Sequence, residues 1–155
     1  MTPFVTCLWF DREAEEAANF YASIFPNSKV GRVTPYPADA PGGQAGQTMT
    51  VEFELNGQRF VGLNGGPLFK FNEAISIQVP CESQAEIDRL WAALTADGGE
   101  ESVCGWCKDR FGLSWQVAPA IMPDLLSGPR AAEVMAAFMQ MRKFDLAAVE
   151  AAAAS

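Results

Sequence analysis

CGWCKDRFGLSWQV, residues 104–117, supports two readings. Its first four residues have the Cys-x-x-Cys spacing of a redox or zinc site, while Phe111 to Val117 reads as a turn feeding a strand. In a disulfide oxidoreductase the paired cysteines open a helix, whose dipole lowers the thiol pKa. Here Lys108-Asp109-Arg110-Phe111-Gly112 is a turn and Leu113 to Val117 a strand, so no helix follows. If Cys104 to Lys108 is extended, Cys104 and Cys107 point to opposite faces, and bridging them would break the strand. A structural zinc site lacks its remaining ligands, because Cys7 and Cys81 stand alone and the chain has no histidine. The stretch is therefore expected to be the last β-hairpin of a sheet, with Trp106 and Trp115 packing and Asp109 and Arg110 either ordering the turn or pairing with each other.

Upstream of this hairpin, Ala74 to Val79 reads as a strand and Ser83 to Ala96 as a helix with Ile87, Leu90, Trp91 and Leu94 on one face, closed by Gly98-Gly99. Glu101 to Val103 and Cys104 to Lys108 follow as strands, so the order is β-α-β-β-β. The first half has the same order. Phe4 to Phe10 is an aromatic and β-branched strand, and Arg12 to Phe25 a helix with Asp11 as its N-cap and Ala14, Ala17, Ala18, Tyr21 and Ile24 at helical spacing. Lys29 to Tyr36 is a strand, Pro37 to Gln47 a loop containing Gly42-Gly43, and Gln47 to Leu55 an alternating strand that buries Met49, Val51, Phe53 and Leu55. Asn56-Gly57 predicts a two-residue hairpin into Arg59 to Asn64. The expected fold class is α+β: a paired βαβββ domain over residues 1–120, module one about 1–66 and module two about 67–120, with a helical tail at 121–155. In that tail Ala131, Val134, Met135, Phe138 and Met141 form an apolar stripe suited to the parent domain or a dimer partner, and Ala147 to Ala154 is expected to fray.

Composition narrows the function. A chain of 155 residues with 49% apolar side chains can bury a core without disulfide staples, and no run approaches the roughly 20 apolar residues of a membrane span. A net charge of −8 without a basic cluster argues against nucleic acid as a partner. Met1-Thr2-Pro3-Phe4 lacks the basic start of a secretory signal, which predicts a cytoplasmic protein, and in that compartment the four cysteines are expected to be free. Without histidine, Ser-His and Cys-His nucleophile systems are excluded. Glu13, Glu15, Glu16, Glu82, Glu86 and Asp88 read as solvated helix faces, and Glu52 and Glu54 as the exposed side of a strand. None of Gly42-Gly43, Gly65-Gly66 and Gly98-Gly99 joins a strand to a helix, where a nucleotide-like methyl donor would be cradled.

Three segments, CLWFDREAEEAANFYASIFPNS, MTVEFELNGQRFVGLNGGP and CGWCKDRFGLSWQVAP, resemble the PhnB-like group of the vicinal-oxygen-chelate (glyoxalase/bleomycin-resistance/dioxygenase) superfamily. That group often carries the label 3-demethylubiquinone-9 3-methyltransferase. The resemblance, from about Thr2 to Met141, implies two βαβββ modules curled into an incomplete barrel around a small-molecule cavity, commonly in a homodimer. It further implies a divalent metal held by His or Glu side chains on inward strand positions. Carried onto this chain, those positions fall on Thr6 with Leu8 beside it, near Ala74 with Ser76 and Gln78, on Gln116, and near Asn64.

Thr, Ala and Gln bring no negative charge, and neutral oxygens suit transition metals poorly, so no tightly bound metal and no cofactor is expected. Thr6, Leu8, Asn64, Ser76, Gln78, Trp106 and Gln116 are then candidates to line a ligand cavity, with catalytic residues unassigned. The preferred function is binding of an unknown small molecule. The alternative is an enzyme, either a glyoxalase-like lyase or isomerase or the S-adenosylmethionine-dependent methyltransferase that the group's label suggests.

Overall fold

The computed structural model describes residues 1–42 and 44–154, so Gly43 of the loop glycine pair and Ser155 of the tail lie outside the described residues. The chain forms two compact units, Met1–Lys70 and Phe71–Ser155. Each contains one β-α-β-β-β module built on an open four-stranded sheet.

The first unit comprises β1 (Thr6–Phe10), α1 (Ala14–Ile24), β2 (Lys29–Pro35), β3 (Thr48–Leu55) and β4 (Gln58–Asn64). The strands lie in the order β1-β4-β3-β2, with β1 parallel to β4 and the other neighbours antiparallel. Asn56 and Gly57 both have positive φ, 47° and 83°, as a two-residue hairpin turn requires. Val51, Phe53 and Leu55 of β3 and Phe60 of β4 are buried on one face. Against that face α1 lays Ala14, Ala17, Ala18 and Tyr21, all fully buried, and the small alanines let the helix approach closely. Phe53 and Phe60 stack with ring centroids 5.3 Å apart.

Asp11 does not cap α1. The N-cap is Glu13, whose side chain makes no capping bond; the amide oxygen of Asn64 instead accepts from the Ala14 N–H at 2.9 Å. The same amide donates from Nδ2 to the Thr48 carbonyl at 3.1 Å, and the Asn64 carbonyl accepts from the Tyr36 hydroxyl. One side chain at the end of β4 thus satisfies an orphan helix donor and ties in the start of β3.

The second unit comprises β5 (Ser76–Cys81), α2 (Gln84–Thr95), β6 (Glu100–Glu101), β7 (Trp106–Lys108) and β8 (Ser114–Pro119), in the sheet order β5-β8-β7-β6. β5 pairs parallel with β8, repeating the closure of β1 on β4. Ser83 caps α2 by accepting from the Glu86 N–H, and Ile87, Leu90, Trp91 and Leu94 are buried against the sheet. β5 starts at Ser76 rather than Ala74, because the Asn72 side chain accepts from the Ala74 N–H at 2.9 Å and holds that residue in a turn.

The extended reading of Cys104 to Lys108 also needs correction. Cys104 and Gly105 have φ of 57° and 79° and form a turn, so β7 begins only at Trp106. The tail imposes this shape. The Cys104 and Gly105 N–H groups donate to the carbonyls of Met141 and Arg142, at 2.9 and 2.8 Å, and Phe144 packs so tightly on Gly105 that any Cβ there would overlap its ring.

The tail folds as α3 (Met122–Leu126), α4 (Ala131–Phe138) and α5 (Leu146–Ala154). Gln84 of α2 clamps it: its Nε2 donates to the Phe144 carbonyl at 2.9 Å, and its Oε1 accepts from the Leu146 N–H at 2.8 Å. Val134, Phe144 and Val149 are buried, whereas Met135 of the expected stripe is 47% exposed. Residues 147–154 are helical rather than frayed, because Val149 anchors α5.

Asp109, only 2% exposed, organises the final hairpin. Its Oδ1 accepts from the Phe111 and Leu113 N–H groups at 2.9 and 3.1 Å, and its Oδ2 from the Trp115 indole at 2.8 Å. Replacing Asp109 by Ala leaves two buried donors and one part-buried donor unanswered, and urea unfolding is expected to register a loss of about 3 kcal/mol. Arg110→Ala, at the same turn but half-buried, is expected to lose less than about 1 kcal/mol.

Candidate functional site

In each unit the helix covers one sheet face and leaves the other as the surface on which a ligand can be met. On the second sheet, Ile77, Val79 and Cys81 of β5 and Trp115 and Val117 of β8 lie on the helix side by strand alternation. Ser76 and Gln78 of β5, Ser114 and Gln116 of β8, and Trp106 and Lys108 of β7 then share the opposite face. The register places Gln116 beside Gln78 on one flank and Trp106 on the other. The Gln116 amide donates to the Ser76 hydroxyl at 2.8 Å.

The first sheet is different. Leu8 is 4% exposed and Phe10 3%, and both lie on the face that carries α1. Thr6 shares their parity, so Thr6 and Leu8 do not belong to the helix-free face; Cys7 and Trp9 do. Counting back three from the buried last residue of each opening strand, Phe10 and Cys81, sets Cys7 of module one against Gln78 of module two. Asn64 has both ends of its amide committed to the helix N-terminus and to β3. The helix-free face of the first sheet is crossed by charges, with Lys29 3.6 Å from Glu54 and Arg32 4.0 Å from Glu52.

Of the seven candidates, the structure thus gathers Ser76, Gln78, Trp106 and Gln116 on one face and leaves Thr6, Leu8 and Asn64 off the helix-free face of their own sheet. It adds Ser114 and Lys108, which period-two counting from Gln116 and Trp106 would have found. Glu73, whose carboxylate meets the Lys108 ammonium, precedes β5 and gives no sequence signal of its own.

The donor set does not fit the superfamily's metal. Ser76 and Gln116 are neutral and bonded to each other, Ala74 has no donor atom, and among the described residues no three His, Cys, Asp or Glu side chains converge. The strand-to-helix connections are Asp11-Arg12-Glu13 and Glu82-Ser83, acidic and without glycine, so they are poor cradles for a nucleotide-like methyl donor.

The cysteines are free, with Cys7 exposed, Cys104 intermediate and Cys81 and Cys107 buried. Burial, and secondarily the Asp109 charge, push the Cys107 thiol from an ordinary value of 9.0 up to about 12; burial likewise pushes Cys81 to about 12. A buried thiol held protonated is the opposite of a redox nucleophile.

The family model described as 3-demethylubiquinone-9 3-methyltransferase matches residues 2–118. The chain belongs to that family. A PhnB protein of Bacillus cereus bearing the same family label is 32% identical, with a TM-score of 0.67, over 76% of this chain and 98% of its own. A solved protein from Pseudomonas aeruginosa is 21% identical at a TM-score of 0.63, over 77% and 98% of the two chains, and shares the fold. A gene product of Arabidopsis thaliana, 18% identical at a TM-score of 0.50 over 74% and 96%, does so as well. No curated protein matches the sequence. These likenesses establish the PhnB-like group of the vicinal-oxygen-chelate superfamily and its α+β fold of two βαβββ modules with additional C-terminal helices. Among the described residues no helix is long and apolar enough to cross a membrane.

Brief alkylation of the native chain at pH 8 is expected to mark Cys7 and Cys104 well before Cys81 and Cys107, as read by peptide mass. Because the Cys81 and Cys107 pKa values are raised on folding, their contribution to stability is complete below about pH 9 and lost as pH rises towards 12. The urea midpoint should fall across that window.

Proposed function

We propose that this family member binds a small molecule through hydrogen bonds and apolar contact, without a tightly bound catalytic metal, and does so as a homodimer. The observation that carries the reading is the Gln116–Ser76 hydrogen bond on the helix-free face of the second sheet. Metal-binding members of the superfamily are expected to place a carboxylate at the Gln116 position; here a neutral amide spends its N–H on a neighbouring hydroxyl. Gln78, exposed, and Trp106, half-buried, extend the same face with one polar and one aromatic side chain, the mixture that ligand sites use. The homodimer part leans on the family and on Met135 and Met139, which are 47% and 58% exposed.

Elemental analysis of the purified chain, before and after incubation with Zn²⁺, Mn²⁺ and Ni²⁺ followed by desalting, tests the metal-free reading. Far less than one metal per chain is expected; a stoichiometric transition metal overturns it. Titration calorimetry with S-adenosylmethionine is expected to show no saturable heat, and micromolar binding would favour the methyltransferase that the family label names. Thermal shift over a panel of small metabolites should find compounds that raise the melting temperature, since a ligand that binds only the folded state stabilises it by mass action. A monomeric mass by sedimentation would refute the dimer.

A further inference from the structure

The helix-free face of the second sheet holds a cleft of about 390 Å³, room for one ring system. Trp106, Lys108 and Ser114 line it, with Val103, Glu73 and Glu100 also at its walls. Two of its polar groups have no hydrogen-bond partner among the described residues. Three of the four tryptophans donate their indole N–H to protein oxygens: Trp9 to the Gly66 carbonyl, Trp91 to Glu101 and Trp115 to Asp109. Trp106 alone donates to none among the described residues. Ser114 is 1% exposed, and its Oγ is the one buried side-chain polar atom among the described residues without a hydrogen-bond partner. Leaving a buried hydroxyl unanswered costs about 1–3 kcal/mol, so its presence at a cleft calls for an occupant that answers it.

The charges decide what kind of occupant. Lys108 is already met by Glu73, and Glu100 stands opposite Lys108 in the strand register. Glu101, the third carboxylate at the walls, accepts from the Trp91 indole and lies 3.9 Å from Arg142, so Glu73 and Glu100 stand against one ammonium and the cleft is negative, which disfavours an anion. The open groups are an indole N–H, which can only donate, and a hydroxyl, which can donate or accept. The indole therefore requires an acceptor oxygen, which can also take the hydroxyl's proton, and Val103 and the Trp106 ring offer apolar contact to the rest of the ligand.

We propose that this cleft binds an uncharged single-ring compound bearing carbonyl or hydroxyl oxygens, its ring packed against Val103 and Trp106 and its oxygens accepting from the Trp106 indole and the Ser114 hydroxyl. The inference rests on the small-molecule-binding reading above and gives it a ligand class.

The test follows the indole N–H resonances of the ¹⁵N-labelled full chain, with Trp106→Phe identifying the one of interest. The probes are 4-hydroxyacetophenone, benzoate and benzylammonium. The Trp106 resonance is expected to shift saturably with 4-hydroxyacetophenone, and about tenfold more benzoate should be needed for a comparable shift. Ser114→Ala should weaken 4-hydroxyacetophenone binding about fivefold or more, yet leave the melting temperature of the free protein unchanged or higher, because the hydroxyl it removes has no partner. A stationary Trp106 resonance with all three probes overturns the proposal. So does benzoate or benzylammonium binding as tightly as 4-hydroxyacetophenone, or a Ser114→Ala variant that binds like the parent; in that last case Ser114 is served by water alone. If 4-hydroxyacetophenone fails while a metabolite raises the melting temperature and moves the Gln78 or Gln116 side-chain amides, the ligand class falls and the binding reading stands. A stoichiometric metal overturns that reading whatever the indole resonances do.

Discussion

The buried carboxylate of Asp109 sets the geometry on which the candidate site depends. By accepting from the Phe111 and Leu113 N–H groups and from the Trp115 indole, it closes the last turn and pins Trp115 to the helix side of the sheet. Side chains alternate along a strand, so fixing Trp115 on one face fixes Ser114 and Gln116 on the other. A slip of one residue would turn Gln116 into the core and present an indole to the cleft. The parallel pairing of β8 with β5 then carries the register across to Ser76 and Gln78. The function argued for the second sheet therefore rests on a turn residue whose carboxylate bonds Phe111, Leu113 and Trp115.

Module one reaches the same topology with different means. Its clamp is Asn64, which caps α1 from across the sheet and secures the start of β3. The two modules have also diverged in what they display. The second presents amides, hydroxyls and an indole, while the first presents Lys29, Arg32, Glu52 and Glu54 in cross-strand pairs. Pairs of that kind on an exposed face contribute little to stability, about 0–1 kcal/mol each, and leave few groups free for a ligand. The tail adds a constraint on module two alone: by bonding Cys104 and Gly105 it shortens β7 and places Trp106 at the strand's first position.

Family membership and chemistry carry different information here. The match over residues 2–118 settles descent and fold, and a fold of this kind serves many activities. What a site can do depends on its donor atoms, and the absence of histidine with a neutral Gln116–Ser76 pair points away from the metal chemistry of the wider superfamily. The family label names a methyl transfer, yet the two strand-to-helix turns of this chain are acidic and lack glycine.

Element order, the doubled βαβββ plan, the Asn56-Gly57 hairpin and the helix face of Ile87, Leu90, Trp91 and Leu94 were legible in the sequence, because each rests on local periodicity or on a turn that only certain residues can make. Gln116 could be assigned to a face because Ser114 to Val117 alternates polar with apolar. Thr6-Cys7-Leu8-Trp9-Phe10 gives no such alternation: four consecutive residues are apolar, both faces look alike, and the packing of α1 alone decided that Leu8 is core and Cys7 is not. Ala74, Cys104 and Asn64 were likewise settled by partners outside their own segment, the first by a side chain two residues away and the others by segments far along the chain. Periodicity within a segment determines what the segment is; which face it turns to a neighbour, and which polar atoms remain unanswered there, is decided only when the neighbour is packed against it.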